Sequence, residues 1–385
     1  MPNETWTIKR CLDWTRDYLQ DKGDERPRLS AEWLLSSVTG LSRTELYVGF
    51  DKPLASDELA AMHKAVVRRA KGEPLQYIAG ETGFRAITVA CEPGVLIPRP
   101  ETELLVEEVL SYLDREVLGA PCTLAHERRE LPWNAEVEAA RQAELAAAAA
   151  SAEARASLEG VGEANASDVA EGSEPMVAPA QDATGVMATV GKAGTEDAGT
   201  EDAGDAEATP VIARVLEVGC GTGCISLSIA AERPGRAACV AIDIEPRAVD
   251  LATRNRDALG ISPDAVDVRL GNLVSPLNRE TEWGTFDVLV SNPPYIPTDV
   301  LKGLPREAVS FEPALALDGG VDGLDIFRRL VNAAPHVLRA GGLLACELYE
   351  GHLDAAAELC RAAGMKDIRI VDDLTHRPRM ILARV

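Results

Sequence analysis

The residues best suited to chemistry in this chain are Asn292-Pro293-Pro294-Tyr295, which directly follow the apolar run 286–291. The run predicts a buried strand, and two successive prolines stiffen the turn that ends it. The side-chain oxygen of Asn292 and the carbonyl of Pro293 then form a fixed pair of acceptors for a planar NH2 group. Tyr295 and Pro294 are predicted to pack on its plane. We assign catalysis to Asn292, Pro293 and Tyr295, and substrate binding to all four residues.

Such a pair of acceptors suits chemistry on an amide or aryl-amine nitrogen. The lone pair of this nitrogen is delocalised into the planar group, which makes the nitrogen a poor nucleophile. A site that binds both hydrogens can turn the lone pair toward an electrophile. The four residues therefore indicate group transfer to a planar nitrogen, and the electrophile must be bound by another part of the chain.

A glycine-rich turn upstream is the predicted binding site for that electrophile. Residues 215–223, Val-Leu-Glu-Val-Gly-Cys-Gly-Thr-Gly, have the order of a strand, a tight turn and the start of a helix. A dinucleotide fold would have Gly-x-Gly-x-x-Gly, so a pyrophosphate site is the weaker interpretation. The next predicted strand, 238–242, ends in Asp243. An acidic residue about 20 positions past such a loop is placed to accept hydrogen bonds from ribose hydroxyls.

The order of these elements resembles that of class I S-adenosylmethionine-dependent methyltransferases. A strand, a glycine loop, a helix and a strand with a terminal acid precede the strand that leads into Asn-Pro-Pro-Tyr. The resemblance implies S-adenosyl-L-methionine as the cofactor. The residues predicted to bind it are Glu217, Gly219, Cys220, Gly221, Thr222, Gly223, Asp243, Asn272, Leu273 and Asn292.

Three further segments are similar to the release factor glutamine methyltransferase family (PrmC/HemK). They are Gly-Glu-Pro-Leu-Gln-Tyr-Ile at 72–78, Ile-Pro-Arg-Pro-Glu-Thr-Glu at 97–103 and Phe-Glu-Pro at 311–313. The resemblance covers residues 1 to about 118 and 211–385. It implies an N-terminal helical domain that docks the substrate. It also implies methylation of the glutamine in the Gly-Gly-Gln loop of peptide chain release factors, which are the expected protein partners.

Two features depart from the family pattern. Gly271-Asn272-Leu273 stands where Gly-Asp-Leu is common, so no carboxylate is available there for the adenine amine. The Asn272 side-chain oxygen could accept that hydrogen bond instead, and Leu273 could pack on the ring. The second departure is the long segment 119–210, which separates the two parts that resemble the family.

Segment 119–210 is rich in alanine and acidic residues. Within it, residues 134–209 contain 16 acidic and 3 basic residues, a net charge of −13 in a chain whose net charge is −23. This composition predicts disorder. An inert spacer is the favoured interpretation, and an acidic interaction segment is the alternative. The acidic body argues against charge-driven nucleic-acid binding, because phosphate contacts need Lys and Arg; no direct nucleic-acid binding is expected.

The predicted fold class is α/β. It combines the doubly wound sheet of a class I methyltransferase with a small N-terminal helical domain and a long, disordered insert. We place a helical substrate-docking domain at 1–75, a hairpin with a connecting helix at 76–118, the insert at 119–210 and the methyltransferase domain at 211–385. Alternating helices and strands with a terminal strand pair predict a mostly parallel, doubly wound sheet. The antiparallel last strand that the methyltransferase resemblance implies is compatible with this pattern.

Local patterns in the first domain predict two helix starts. Ser30 is expected to cap a helix that ends at Gly40. Ser42 and Glu45 have the spacing of a capping box. The domain itself is interpreted as a docking platform for the substrate, with a purely structural cap as the alternative.

In the connecting region, residues 84–90 and 95–97 predict a hairpin around Pro93-Gly94, followed by a helix over 104–113. Two charged residues before that helix have two interpretations. Arg99 and Glu101 either line the mouth of the site or belong to a helix start, where proline and first-turn acids are favoured.

The eight cysteines predict no metal site, since they form no Cys-x-x-Cys pair and have no histidines at ligand spacing. Free thiols suit a reducing compartment. The first 30 residues do not resemble a targeting peptide, and no apolar run approaches the roughly 20 residues that a membrane span needs. We expect a cytoplasmic protein without a membrane partner.

Three other functions stay open at this point. An exocyclic amine of RNA or DNA would fit the same two acceptors. Glutamine methylation of a ribosomal protein would need a different docking partner. A scaffold that binds the cofactor without catalysis would have no use for Asn-Pro-Pro-Tyr. The favoured interpretation is an S-adenosylmethionine-dependent protein-glutamine methyltransferase.

Overall fold

The computed structural model describes residues 5–119, 211–303 and 311–385. The predicted insert therefore lies outside the described residues, apart from Gly119, and the bounds of the four predicted regions stay predictions. The described residues belong to one compact unit. Its two main parts are a set of N-terminal helices and a seven-stranded sheet with helices packed against it.

The N-terminal helices pack around a core of leucines, of which Leu19, Leu34, Leu35 and Leu46 are fully buried. They are α1 (Ile8–Asp21), α2 (Pro27–Thr39), α3 (Arg43–Val48), α4 (Ser56–Arg69) and α5 (Leu75–Ala79). Burial of these apolar faces supplies the driving force for a bundle of short helices that would be marginal alone.

The helix starts in this bundle confirm one prediction and correct another. Ser42 and Glu45 form the predicted capping box at the start of α3. Ser30 does not cap α2, because that helix begins at Pro27. Proline is well suited to a first helical position, where the missing N–H would have no partner. Ser30 instead donates a hydrogen bond of 2.8 Å to Asp24 from inside the helix, and α2 ends at Gly40 in the left-handed conformation as expected.

The hairpin of the connecting region differs from the predicted one. Its strands are β1 (Glu81–Phe84) and β2 (Ile87–Ala90), paired antiparallel across Arg85-Ala86. Residues 95–97 form no strand, and Pro93-Gly94 turns the chain toward the next helix. The alternation of buried Phe84, Ile87 and Val89 decides the register. The proline and glycine mark a turn, but the pattern of burial shows that it is not the hairpin turn.

Arg85 fixes this hairpin to the rest of the molecule. Its guanidinium binds Glu232 at 2.6 Å and Glu107 at 2.8 Å, and all three side chains are largely buried. The long helix α6 (Pro100–Glu116) follows. It begins at Pro100, four residues earlier than predicted, with Glu101 in its first turn. The helix-start interpretation is therefore confirmed for this segment.

The central sheet has the strand order β5-β4-β3-β6-β7-β9-β8. The strands are β3 (Ala213–Val218), β4 (Ala237–Asp243), β5 (Val266–Leu270), β6 (Phe286–Ser291), β7 (Leu338–Glu347), β8 (Lys366–Asp372) and β9 (Pro378–Arg384). Strands β3 to β7 are parallel, and β9 runs antiparallel to β7 and β8. The predicted fold class, a doubly wound sheet with an antiparallel last strand, is confirmed.

Helices accompany the sheet, and together with the strands they bury a continuous apolar core that includes Phe286, Leu289 and Phe327. They are α7 (Cys224–Glu232), α8 (Pro246–Ala258), α9 (Thr298–Gly303), α10 (Asp325–Val337) and α11 (Leu353–Ala362), with short 3-10 turns at Ala314–Ala316 and Glu350–His352. Strand β3 lies between β4 and β6, so the strand order reverses beside it. Ligands of such sheets bind in the crevice beyond the carboxyl ends of the strands at this reversal.

Candidate active site

A cavity of about 280 Å³ lies at the carboxyl ends of β3, β4, β5 and β6, where the strand order reverses. Eleven of the thirteen predicted site residues line it. They are Glu217, Gly219, Cys220, Gly221, Thr222, Asp243, Asn272, Leu273, Asn292, Pro293 and Pro294. The start of α6 contributes Arg99 and Thr102, and α10 contributes Arg329.

Two predicted residues, Gly223 and Tyr295, are not among the residues that line this cavity. Gly223 precedes α7 in the left-handed conformation, and an added Cβ would lie 3.1 Å from the side chains of Leu227 and Ala252. Glycine is therefore needed there for close packing. The ring of Tyr295 packs against the core of the sheet, and burial raises the pKa of its hydroxyl to about 12. Their predicted roles toward ligands stay predictions.

The glycine loop is folded tightly around the end of β4. Gly219 and Gly221 have left-handed φ angles of 74° and 54°, which glycine adopts without a steric penalty. The backbone N–H of Gly219 donates to Ile242 at 2.8 Å, and that of Gly221 donates to Asp243 Oδ2 at the same distance. The loop thus presents its backbone to the cavity and is held by the strand next to it.

Asp243 joins the glycine loop to the turn after β4. In addition to the bond from Gly221, its Oδ1 accepts a hydrogen bond of 2.9 Å from the backbone of Glu245. Burial raises the pKa of this carboxyl, although the backbone donors act in the opposite direction. Each carboxylate oxygen has a second lone pair, so Asp243 can still accept hydrogen bonds from a ligand in the cavity.

Glu217 carries a buried carboxyl oxygen that has no hydrogen-bond partner among the described residues. Its Oε2 accepts a hydrogen bond of 2.9 Å from the backbone of Ser226, whereas no described residue makes a hydrogen bond to Oε1 or to the Thr222 hydroxyl. Burial raises the pKa of Glu217 to about 8. Because an unpaired buried polar group is costly, these atoms on the cavity wall are suited to a cationic or hydrogen-bonding ligand.

Asn272 differs in one respect from its predicted environment. Its Oδ1 already accepts a hydrogen bond of 3.0 Å from Arg329, a cavity residue that sequence reasoning missed. The two residues are 57 positions apart, and no local pattern connects them. Leu273 follows with a φ of 52°, which is unusual for a residue with a side chain. This loop is therefore held in a strained conformation beside the cavity.

Asn292 is oriented by residues behind it. Its Nδ2 donates a hydrogen bond of 3.1 Å to Thr102 Oγ1, and the Thr102 hydroxyl donates to Glu347 Oε2 at 2.6 Å. Throughout the described ranges, no hydrogen bond engages Asn292 Oδ1. Sequence reasoning missed Thr102 and Glu347. The signal for Thr102 was its place in the segment 97–103, whereas Glu347 had none.

The three segments that carry the family resemblance meet beside the cavity. Tyr77 donates to the carbonyl of Val95 at 2.7 Å, and Phe311 packs against a small cluster that contains Tyr77 and Ile97. Arg99 binds Glu312 at 2.6 Å. Arg99 therefore lines the cavity, as the first of the two interpretations predicted. Glu101 is not among the lining residues.

The fold and this site define a class I S-adenosylmethionine-dependent methyltransferase. Two family models match the chain: the one described as "PrmC N-terminal domain" at residues 10–80 and the one described as "Methyltransferase small domain" at residues 204–302. The second match spans the glycine loop and Asn292, and the first spans most of the N-terminal helices.

Full-length relatives give the family. A protein named release factor glutamine methyltransferase from Geobacter sulfurreducens is 34% identical, with 99% of this chain and 98% of that protein covered. Proteins of the same name from Moorella thermoacetica and Chlorobaculum tepidum are 31% and 30% identical, with 98% and 97% of this chain and 98% and 96% of those proteins covered. The chain belongs to the release factor glutamine methyltransferase family.

In the described parts of the chain, no helix combines the length and the apolar character that crossing a membrane requires.

Proposed function

We propose that this enzyme transfers a methyl group from S-adenosyl-L-methionine to the side-chain amide nitrogen of the glutamine in the Gly-Gly-Gln loop of peptide chain release factors. The orientation of Asn292 carries the proposal. Its NH2 group is used by Thr102, which leaves Oδ1 as an acceptor on the wall of the cavity, next to Pro293. Two acceptors side by side match the two N–H donors of a primary amide.

The residues of the glycine-loop end suit the cofactor. The unpartnered Oε1 of Glu217 and the Thr222 hydroxyl are matched to an ammonium group and a hydrogen-bonding partner. The free lone pairs of Asp243 are matched to ribose hydroxyls, and Leu273 offers an apolar surface for a ring. Bound there, the cofactor would supply a methyl group on a positively charged sulfur.

The contribution of the protein to the reaction is positioning. With both N–H groups held by Asn292 Oδ1 and the Pro293 carbonyl, the nitrogen lone pair is directed out of the amide plane toward the methyl group. The bound cofactor would supply the methyl group as an electrophile and would keep the electron pair on its sulfur, and the substrate nitrogen would lose one N–H proton to water. Holding the reacting atoms roughly 3–3.5 Å apart supplies much of the rate enhancement, and no general base is required before the transfer.

The same two acceptors would reject glutamate. A carboxylate has no N–H to donate, so Asn292 Oδ1 and the Pro293 carbonyl would face negative oxygens. Each buried acceptor left without a donor costs about 1–3 kcal/mol. Selectivity for the amide is therefore a direct consequence of the proposed site.

We further propose that the N-terminal helices dock the release factor. Trp14, which is 45% exposed, stacks on Tyr18 at 5.1 Å and contacts Trp6 edge to face. Rigid, partly exposed aromatic side chains are typical of protein-binding surfaces. The seven described cysteines have free thiols, which supports an enzyme that acts in a reducing cytoplasm.

A methyl-transfer assay with labelled S-adenosyl-L-methionine and purified release factor tests the proposal. We expect transfer to the release factor with glutamine in its Gly-Gly-Gln loop and none to the variant with glutamate there. Binding of the cofactor without transfer to the release factor would contradict the proposed substrate. Equal transfer to both versions would contradict the proposed acceptor pair.

A further inference from the structure

Asn292 is the outermost member of a buried chain of hydrogen bonds. Thr102 reaches it from the first turn of α6, and Glu347 lies at the end of β7. Both are almost completely buried, with exposures of 2% and 1%. The hydrogen bonds measure 3.1 Å from Asn292 Nδ2 to Thr102 Oγ1 and 2.6 Å from Thr102 Oγ1 to Glu347 Oε2. The chain thus runs from the cavity into the protein interior.

The chemistry of the three groups fixes which atom donates and which atom accepts in each of these hydrogen bonds. An ionised carboxylate only accepts hydrogen bonds, and a hydroxyl has a single proton to donate. The Thr102 proton is therefore committed to Glu347, and its oxygen must accept from its other neighbour. Only the NH2 end of the Asn292 amide can donate to it. Because the amide is planar, fixing the NH2 end also fixes where the oxygen lies.

We propose that Thr102 and Glu347 are positioning residues that hold the Asn292 amide with its oxygen toward the substrate, and that they thereby set the preference of the site for an amide over a carboxylate. The inference rests on the proposed function and deepens it. With the amide reversed, Asn292 would present an NH2 group, which opposes the NH2 of glutamine and suits the oxygens of glutamate. Orientation of one side chain would then decide between two substrates of nearly equal shape.

The direction of the chain depends on the ionisation of Glu347. A protonated Glu347 can donate to Thr102, and Thr102 can then donate to Asn292 Oδ1, which reverses the amide. Burial raises the pKa of Glu347 to about 7, although the hydrogen bond from Thr102 acts in the opposite direction and lowers it. The selectivity for glutamine should therefore decline as the pH falls through about 7.

Other charged or titratable groups face Glu347 from the elements around it. They are Arg379 on β9, Arg99 and Glu101 at the start of α6, Tyr295 after β6 and Cys224 on α7. The pKa of Tyr295 is raised to about 12, and burial raises the pKa of the Cys224 thiol far above neutrality. These two groups are neutral between pH 6 and pH 8. A change in selectivity in this interval that disappears with Glu347→Gln therefore belongs to Glu347.

The test compares the binding of two release factors, one with glutamine and one with glutamate in the Gly-Gly-Gln loop. The enzyme is saturated with S-adenosylhomocysteine so that no transfer occurs, and the ratio of the two dissociation constants is measured for Thr102→Val and Thr102→Ser. We expect Thr102→Val to reduce the preference for glutamine by about ten- to a hundredfold. Thr102→Ser retains the hydroxyl and should stay within about threefold of wild type.

A purely structural role for Thr102 predicts a different pattern. Loss of packing or of folded protein would weaken the binding of both release factors equally. The ratio of the two dissociation constants would then be unchanged, which would overturn the inference. The isosteric valine keeps the volume of threonine, and the affinity for S-adenosylhomocysteine reports whether the cavity is intact. We expect this affinity to be unchanged in both variants.

Glu347→Gln provides a second test that does not depend on Thr102→Val being stable. Wild-type enzyme should lose selectivity between pH 8 and pH 6, whereas Glu347→Gln should have a lower, pH-independent selectivity, because glutamine can donate or accept toward Thr102. The same pH dependence in both enzymes would overturn the inference. If wild-type enzyme fails to distinguish glutamine from glutamate at any pH, the proposed function itself fails. If wild-type enzyme prefers glutamine and the variants keep the same preference, only the role of Thr102 and Glu347 is contradicted.

Discussion

The two ends of the cavity handle buried polar groups in opposite ways. At the glycine-loop end, Glu217 has a carboxyl oxygen with no hydrogen-bond partner in the described parts of the chain, so this oxygen can accept a hydrogen bond from a ligand. At the opposite end, the NH2 group of Asn292 is tied into the hydrogen bonds with Thr102 and Glu347. We expect the first end to bind the charged group of the cofactor and the second to offer the substrate an acceptor of fixed direction. On this proposal the first end determines the affinity for the cofactor, and the second determines selectivity and rate.

The largest effect should come from removing the acceptor. Asn292→Ala is expected to lower kcat by about a hundred- to a thousandfold, as loss of a group that orients the reacting atoms typically does. The dissociation constant of S-adenosyl-L-methionine, measured by calorimetry, should change little. Asn272→Ala is the matched control, since it removes an amide from the cofactor end and should weaken cofactor binding with a smaller effect on kcat. Near wild-type turnover of Asn292→Ala would show that the two ends do not divide these tasks.

Glu217→Gln should affect the other end. We expect the dissociation constant of the cofactor to rise by about ten- to a hundredfold, because a neutral amide replaces the carboxylate that faces the ammonium group. Turnover at saturating cofactor should stay close to that of wild type. An unchanged dissociation constant in Glu217→Gln would contradict the charge interaction.

Asp243→Ala is expected to have a smaller effect on the dissociation constant of the cofactor than Glu217→Gln. It removes an acceptor for ribose hydroxyls and the bonds to Gly221 and Glu245, so the dissociation constant should rise by about tenfold. Asp243→Asn keeps one acceptor oxygen and should lie between alanine and wild type. Calorimetry that finds unchanged binding in Asp243→Ala would exclude this residue from the cofactor site.

A further expected effect concerns stability without the cofactor. The pKa of Glu217 is raised from 4.5 to about 8, so the folded protein holds this proton more tightly than the unfolded chain does. The resulting stabilisation is complete below pH 4.5 and is lost as the pH rises through about 8. The thermal unfolding temperature of wild type should therefore fall more steeply over this pH range than that of Glu217→Gln. Parallel curves would mean that Glu217 does not titrate as described.

The residues that line the cavity were predictable where they are contiguous in the sequence. Residues 219–222 and 292–294 follow apolar strands directly, and parallel strands bring their carboxyl ends to one edge. The ligand roles predicted for Gly223 and Tyr295 stay predictions. The structure adds that close packing requires glycine at 223 and that the ring of Tyr295 packs against the core of the sheet, and spacing alone reveals neither contact.

Interactions between distant parts of the chain were not predictable. Thr102 and Glu347 are separated by 245 positions, and only the packing of α6 against β7 brings them together. The hairpin was misplaced because a proline and a glycine mark a turn without specifying which strands pair. Orientation of Asn292 belongs to the same class, since it depends on two residues from other elements.

The position of the transferred methyl group tests the central claim most directly. Release factor is incubated with wild-type enzyme and S-adenosyl-L-methionine, and the product is fragmented in a mass spectrometer to locate the modification within the Gly-Gly-Gln peptide. A single methyl group on the side-chain nitrogen of the glutamine is the predicted result. A methyl group on another residue, or on an oxygen or backbone nitrogen, would contradict a site built from Asn292 and Pro293 for a primary amide.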